Sequence, residues 1–162
     1  MPSRTHRYHA ELDWEGNTGQ GTAGYAVYGR AFRARIAGKP DLCGSADAVF
    51  LGDAGRHNPE DLLLVALSAC HMLTYLALCA RAGIRVLDYR DRPDAVLAFD
   101  ATGIGAFREA TLRPQVTIDA GGRLAQAQRL HEEAHGACFI ARSCAFPVGQ
   151  LADVREAAGA DA

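Results

Sequence analysis

The sequence predicts an α+β fold, with a mostly antiparallel sheet packed on helices. Three observations predict it. Strand-like stretches come in runs instead of alternating singly with helices, in the order β-β-(β)-α-β-β-β-α-β. One long apolar stretch, residues 62–80, separates the runs and carries helix punctuation at both ends. A second stretch with apolar residues at helical spacing follows the Gly121-Gly122 break. At 162 residues and 17.3 kDa the chain is expected to be one domain, residues 1–162, with an ordered core over about 5–155. A domain of that size buries about two-thirds of its unfolded surface and needs no staples.

Each element has a local reason. His6, Tyr8, Ala10 and Leu12 alternate with Arg7, His9, Glu11 and Asp13, the pattern of a half-buried strand. A Gly-rich turn, Trp14 to Thr22, leads to a second alternating stretch, Tyr25–Ile36. Gly38-Lys39-Pro40-Asp41 reads as a turn and Ala46–Leu51 as a short strand. The long helix begins with Asn58 as N-cap, Pro59 at the first helical position, and Glu60 and Asp61 against the positive end of the dipole. Gly83 suits its C-terminal stop. Strands are expected at Ile84–Tyr89, Ala95–Ala101 and Phe107–Asp119. A helix follows over about Arg123–His135, with Leu124, Ala127, Leu130 and Ala134 on its apolar face, and a last strand over about Phe146–Arg155.

Composition narrows the function. A formal charge of −2 gives no basic surplus for nucleic acid. Residues 62–80 have the length of a membrane span, but Ser68, His71 and Thr74 interrupt the middle and ordinary helix caps flank it. The reading is therefore a buried core helix and no membrane partner. The N-terminus lacks the apolar stretch of a signal peptide, so a cytoplasmic location is expected, with reduced thiols.

The chemistry candidates are few. The five cysteines are Cys43, Cys70, Cys79, Cys138 and Cys144. Cys70 and Cys79 point to opposite faces of the long helix, since nine residues at about 100° each is two and a half turns. The helical neighbours of Cys70, namely Ala66, Leu67, Leu73 and Thr74, carry no charge. Any group that lowers its pKa must come from elsewhere in the fold. His131-Glu132-Glu133-Ala134-His135 matches the H-E-x-x-H zinc helix, and a site at His131 and His135, with or without Cys138, is the metal alternative. No third histidine stands at the metzincin offset, where Ala141 is found. The Gly16–Gly21 turn has no P-loop lysine, and no nucleophile-elbow serine is present.

Asn58-Pro59-Glu60-Asp61-Leu62-Leu63, then Ser68-Ala69-Cys70 on a long helix, then His135-Gly136-Ala137-Cys138, resembles the OsmC/Ohr family of osmotically induced and organic hydroperoxide resistance proteins. Cys138-Phe139-Ile140-Ala141 departs from the best-known members, which have Pro directly after this Cys, and marks a divergent branch. The resemblance implies an OsmC-like fold, an intertwined homodimer and a thiol peroxidase acting on organic hydroperoxides. It implies a peroxidatic role for Cys70, a resolving role for Cys138, and a carboxylate at Glu60 that orients an arginine. It implies no bound cofactor, only an external dithiol reductant of lipoyl type. Glu60 and Cys70 stand ten residues apart, roughly 15 Å along one helix, so a shared site takes Glu60 from the partner chain. The family's activating arginine belongs in the segment that here reads Gly19-Gln20-Gly21. Arg30, Arg33, Arg35 and Arg56 are the substitutes, and Arg56, close to the helix start, is the choice. Cys43, Cys79 and Cys144 are expected to be structural. The alternative to a peroxidase is a non-enzymatic dimer that binds a small hydrophobic molecule.

Overall fold

The computed structural model of the chain describes residues 5–121 and 123–158. They form two compact units, divided after Leu62.

The first unit holds a three-stranded antiparallel sheet, β1 (Glu11–Trp14), β2 (Phe32–Arg35) and β3 (Leu42–Gly44). Trp14 faces Phe32 and Glu11 faces Arg35. The first two strands are shorter than the alternation predicts, and β2 starts late because of a contact between residues distant in sequence. The Trp14 indole N–H donates to the Gly29 carbonyl at 2.8 Å, and Gly29 N–H donates to the Gly16 carbonyl at 2.7 Å. That contact replaces ladder pairing. It also demands glycine, since a Cβ on Gly16 lies 1.7 Å from the Gly29 oxygen. The strand expected at Ala46–Leu51 is instead a 3₁₀ turn over Ala48–Phe50. The Asp47 carboxylate accepts the Val49 N–H at 2.8 Å, and Leu51 takes a left-handed φ of 62°. A side chain that caps its own backbone competes with a strand ladder.

Helix α1 (Pro59–Arg81) starts where its punctuation predicts. The Asn58 side-chain oxygen accepts Asp61 N–H at 2.7 Å, and the Asp61 carboxylate accepts Asn58 N–H at 3.3 Å. Gly83, at φ 71°, follows its end. Leu67, His71, Tyr75 and Cys79, at a spacing of four, are its buried stripe. Val65 and Leu73 remain 61% and 63% exposed on other faces. By length and composition α1 is long and apolar enough to cross a bilayer.

The second unit contains two three-stranded sheets. One is β4 (Val86–Arg90), β7 (Gln115–Ile118) and β9 (Asp153–Glu156). The other is β5 (Asp94–Phe99), β6 (Gly105–Leu112) and β8 (Val148–Gln150). The β4–β7 and β5–β6 pairs are antiparallel, but β6–β8 and β7–β9 are parallel, which alternation along one strand cannot reveal. The stretch 107–119, expected as one strand, divides at the buried Pro114, which cannot donate to a ladder. The stretch 146–155 divides in step: Leu151 N–H donates to Leu112 and Asp153 N–H to Pro114, at 2.8 and 2.9 Å. Both strand pairs thus pass from one sheet to the other.

Helix α2 (Leu124–Ala137) extends two residues beyond the expected end, and Cys138 is its C-cap. Tyr75, Ile84, Val116, Ile118, Ala127 and Ala134 are buried together between helix and sheet. Each large apolar side chain so buried contributes about 1.5–3 kcal/mol. The fold is the α+β class that the element order predicts.

Candidate active site

Cys70 lies on α1 and is half-buried; Cys138, at the end of α2, is buried with 1% exposure. All five cysteines are free thiols. The Cys70 and Cys138 thiols lie side by side, close enough for the Cys70 thiol to bear on the ionisation of Cys138. The Cys138 thiol is pushed up to about 11, chiefly by burial; the Ala141 N–H works against the rise and the Cys70 thiol adds to it. The pair is therefore asymmetric. Cys70 is half-buried, and the Cys138 thiol beside it is buried and held protonated.

Local bonds hold this geometry. Thr74 Oγ1 donates to the Cys70 carbonyl at 2.8 Å. Ser68 Oγ donates to Asp91 Oδ2 at 2.6 Å, and Arg113 N–H donates to Asp91 Oδ1 at 2.7 Å, tying the β4–β5 connection to α1. Cys138 N–H donates to the His135 carbonyl at 3.3 Å, and the Cys138 carbonyl accepts Arg142 N–H at 3.1 Å. The chain turns there through a 3₁₀ segment, Ala141–Ser143, and does not continue as helix.

Beside the thiols lies a second polar pair. His71 and His131 are 0% exposed, with Nε2 and Nδ1 3.0 Å apart and their rings edge to edge and nearly parallel, 6° between planes, with centres 5.3 Å apart. The Tyr75 ring stacks on His131 at 3.7 Å. Burial lowers both imidazoles, His131 down to about 3, and His135 lowers His71 further while Asp91 opposes. Sequence reading gave His71 no role. Its one signal is its place between Leu67 and Tyr75 on the buried stripe. The zinc alternative does not fit these donors. Among the described residues no three His, Cys, Asp or Glu side chains gather as metal ligands. His131 Nδ1 is occupied by His71, and Glu132 and Glu133 are exposed.

Glu60 and the arginines belong to the first unit. Glu60 lines a cleft of about 320 Å³ together with Trp14, Tyr28, Arg30 and Phe32. The Arg30 guanidinium lies 4.5 Å from the centre of the Tyr25 ring and 4.0 Å from that of Tyr28, and donates to both residues' carbonyls. Arg56 lies outside this cleft and pairs with Asp53 at 3.2 Å. Arg33 is held by Glu15 and Asp41, and Arg35 by Asp13 and Asp41. Of the four candidate arginines, Arg30 is the one that shares a cleft with Glu60.

A half-open thiol above a buried one defines a dithiol site on an α+β scaffold. The chain belongs to the OsmC-like protein family, whose model matches residues 52–148. An OsmC-like protein of unknown function from Vibrio cholerae is similar in structure, with a TM-score of 0.81 at 27% identity, over 91% of this chain and 99% of that one. The organic hydroperoxide resistance protein of Elizabethkingia anophelis shares the fold, with a TM-score of 0.68 at 16% identity, over 97% and 100% of the two chains. So does that of Bacillus subtilis, OhrB, with a TM-score of 0.59 at 19% identity, over 91% and 98%. No curated protein sequence matches the chain.

Proposed function

We propose that this protein is a thiol peroxidase that reduces organic hydroperoxides through Cys70 and Cys138. The observation that carries the reading is the adjacency of two free thiols of unequal access. The Cys70 thiolate attacks one peroxide oxygen, the O–O bond breaks, and the other oxygen leaves as an alcohol after taking a proton. Cys70 is then a sulfenic acid. The Cys138 sulfur attacks it, water leaves with the Cys138 proton, and a Cys70–Cys138 disulfide remains. An external dithiol, of lipoyl type, reduces the disulfide by two exchange steps and is itself oxidised. Cytoplasmic thiol poise suits this cycle.

The working unit in this reading is a homodimer. A second copy covers the apolar α1 faces that carry Val65 and Leu73, and contributes Glu60 to the site of Cys70. The cation that favours the thiolate is Arg30, because Arg30 and Glu60 line one cleft while Arg56 is committed to Asp53.

The test is mass spectrometry after one equivalent of cumene hydroperoxide without reductant, on wild type and Cys70→Ser. The expected result is loss of two hydrogens with a Cys70–Cys138 peptide, absent in the variant. Unmodified Cys70 in the wild type overturns the reading and leaves a protein of this fold that binds a small hydrophobic molecule.

A further inference from the structure

We propose that His71 and His131 are positioning residues for the thiol pair: their mutual hydrogen bond fixes α2 against α1 and so sets the separation of Cys70 from Cys138. The inference rests on the proposed function only in taking those two cysteines as a working pair.

The placement of the four residues carries it. Cys70 and His71 are consecutive on α1. Cys138, the C-cap of α2, follows His131 by seven residues, about two helical turns, so both leave one side of that helix. The two helices therefore meet at two polar points, His71 with His131 and Cys70 with Cys138. On α1 these points are neighbours; on α2 they are roughly 10 Å apart. With one point fixed, α2 can swing about it. With two fixed, it cannot, and the end of α2 that carries Cys138 is held in place.

At the far end of the helix pair the Arg123 guanidinium donates to the Ala82 carbonyl at 3.3 Å, away from the thiols. Tyr75, Cys79, Ala127 and Ala134 pack by apolar burial, which is nearly indifferent to small rotations. The imidazole bond at 3.0 Å has a required line and plane. Tyr75, stacked on His131, holds that ring in plane. Both bridging nitrogens are sealed from water, so breaking the bond leaves a buried polar atom unpaired. Among the described residues the outer nitrogens, His71 Nδ1 and His131 Nε2, have no hydrogen-bond partner, so neither ring has a competing protein contact that draws it away.

The experiment reads the thiol–disulfide equilibrium of Cys70 and Cys138 in glutathione buffers at pH 7, by alkylation and mass spectrometry. Disulfide is first formed with diamide, so no peroxidase activity is needed. His71→Ala is expected to lower the equilibrium constant at least tenfold, about 30 mV for this two-electron couple. His131→Asn, whose side-chain amide can accept or donate in place of Nδ1, stays within about threefold of wild type. Leu130→Ala, a packing change on the same helix, stays within about twofold. The double variant His71→Leu/His131→Leu keeps the volume, loses the directed bond together with the Tyr75 stack, and shows the tenfold loss even where His71→Ala does not fold. An unchanged constant in the double variant, or an equal shift in Leu130→Ala, overturns the inference. Absence of any Cys70–Cys138 disulfide in wild type overturns the proposed function as well, and is distinguishable because the constant is then unmeasurable rather than unchanged.

Discussion

Cys70 and Cys138 meet between α1 and α2 with one member half-open to solvent, while His71 and His131, one residue further along α1, are sealed from it. The two pairs share the same helices and the same kind of cross-helix contact. They differ in access. A reagent from solution reaches the first pair through Cys70 and cannot reach the second. Burial raises Cys138 and lowers His71 and His131, so in each case it favours the neutral form. On the proposed reading, the open member lets the first pair react, while the sealed pair serves orientation and stability.

The largest expected effect breaks the open pair. Cys70→Ser should reduce peroxide consumption by about three orders of magnitude or more, with far-UV circular dichroism unchanged. Peroxide turnover within tenfold of wild type would mean another residue is the nucleophile. Breaking the closed pair should instead cost stability. His71→Leu alone leaves a buried His131 unpaired and should lower unfolding free energy by about 2–4 kcal/mol in urea melts. His71→Leu with His131→Leu should recover most of that loss, to within about 1 kcal/mol of wild type, because no polar atom of the pair is then stranded. A double variant no more stable than the single one would show that the hydrogen bond is not the source.

On the proposed reading, in which Arg30 is the cation that favours the Cys70 thiolate, Arg30→Ala is expected to slow Cys70 oxidation about tenfold to a hundredfold. Arg56→Ala, which removes only an ion pair with Asp53, should stay within about twofold. Reversal of that order in stopped-flow oxidation would return Arg56 to the site.

The smallest effect is graded with pH. His71 and His131 both titrate below their unfolded value of about 6.5, His131 down to about 3, so below the unfolded value the unfolded chain binds more protons than the folded one. Their contribution to stability is complete above about pH 6.5 and is lost as pH falls, for His131 down to about 3 at up to ~1.4 kcal/mol per pH unit. Asp91 and His135 face the same pair and set the balance, the carboxylate favouring protonation of His71 and the third imidazole disfavouring it. The Leu/Leu double variant should flatten this part of the urea-midpoint profile; an unaltered slope would assign the acid sensitivity to carboxylates elsewhere.

Local chemistry was legible in the sequence to the extent that it is local. The Asn58 cap and Pro59 start appear where their spacing puts them, because capping involves residues three apart. Strand lengths in the first unit were not legible, since the Gly16–Gly29 contact joins residues thirteen apart. Cys70 and Cys138 came from the resemblance alone. Helical spacing gives Cys70 no charged neighbour and offers Cys138 only His135 and Cys144 nearby, whereas the adjacency of Cys70 and Cys138 joins positions sixty-eight residues apart. His71 was passed over as one of three polar interruptions in an apolar helix. A histidine on the stripe Leu67–Tyr75–Cys79 was the available clue.

By itself the sequence determined the α+β class, the bounds of the long helix, and the residue types available for thiol chemistry, since patterning and capping are short-range. Only the tertiary structure decided which cysteine meets which, that His131 pairs with His71 and not with a metal's other ligands, and that Arg30 is the arginine sharing a cleft with Glu60. Those outcomes depend on how helices and sheets pack, and packing brings together residues that no local spacing relates.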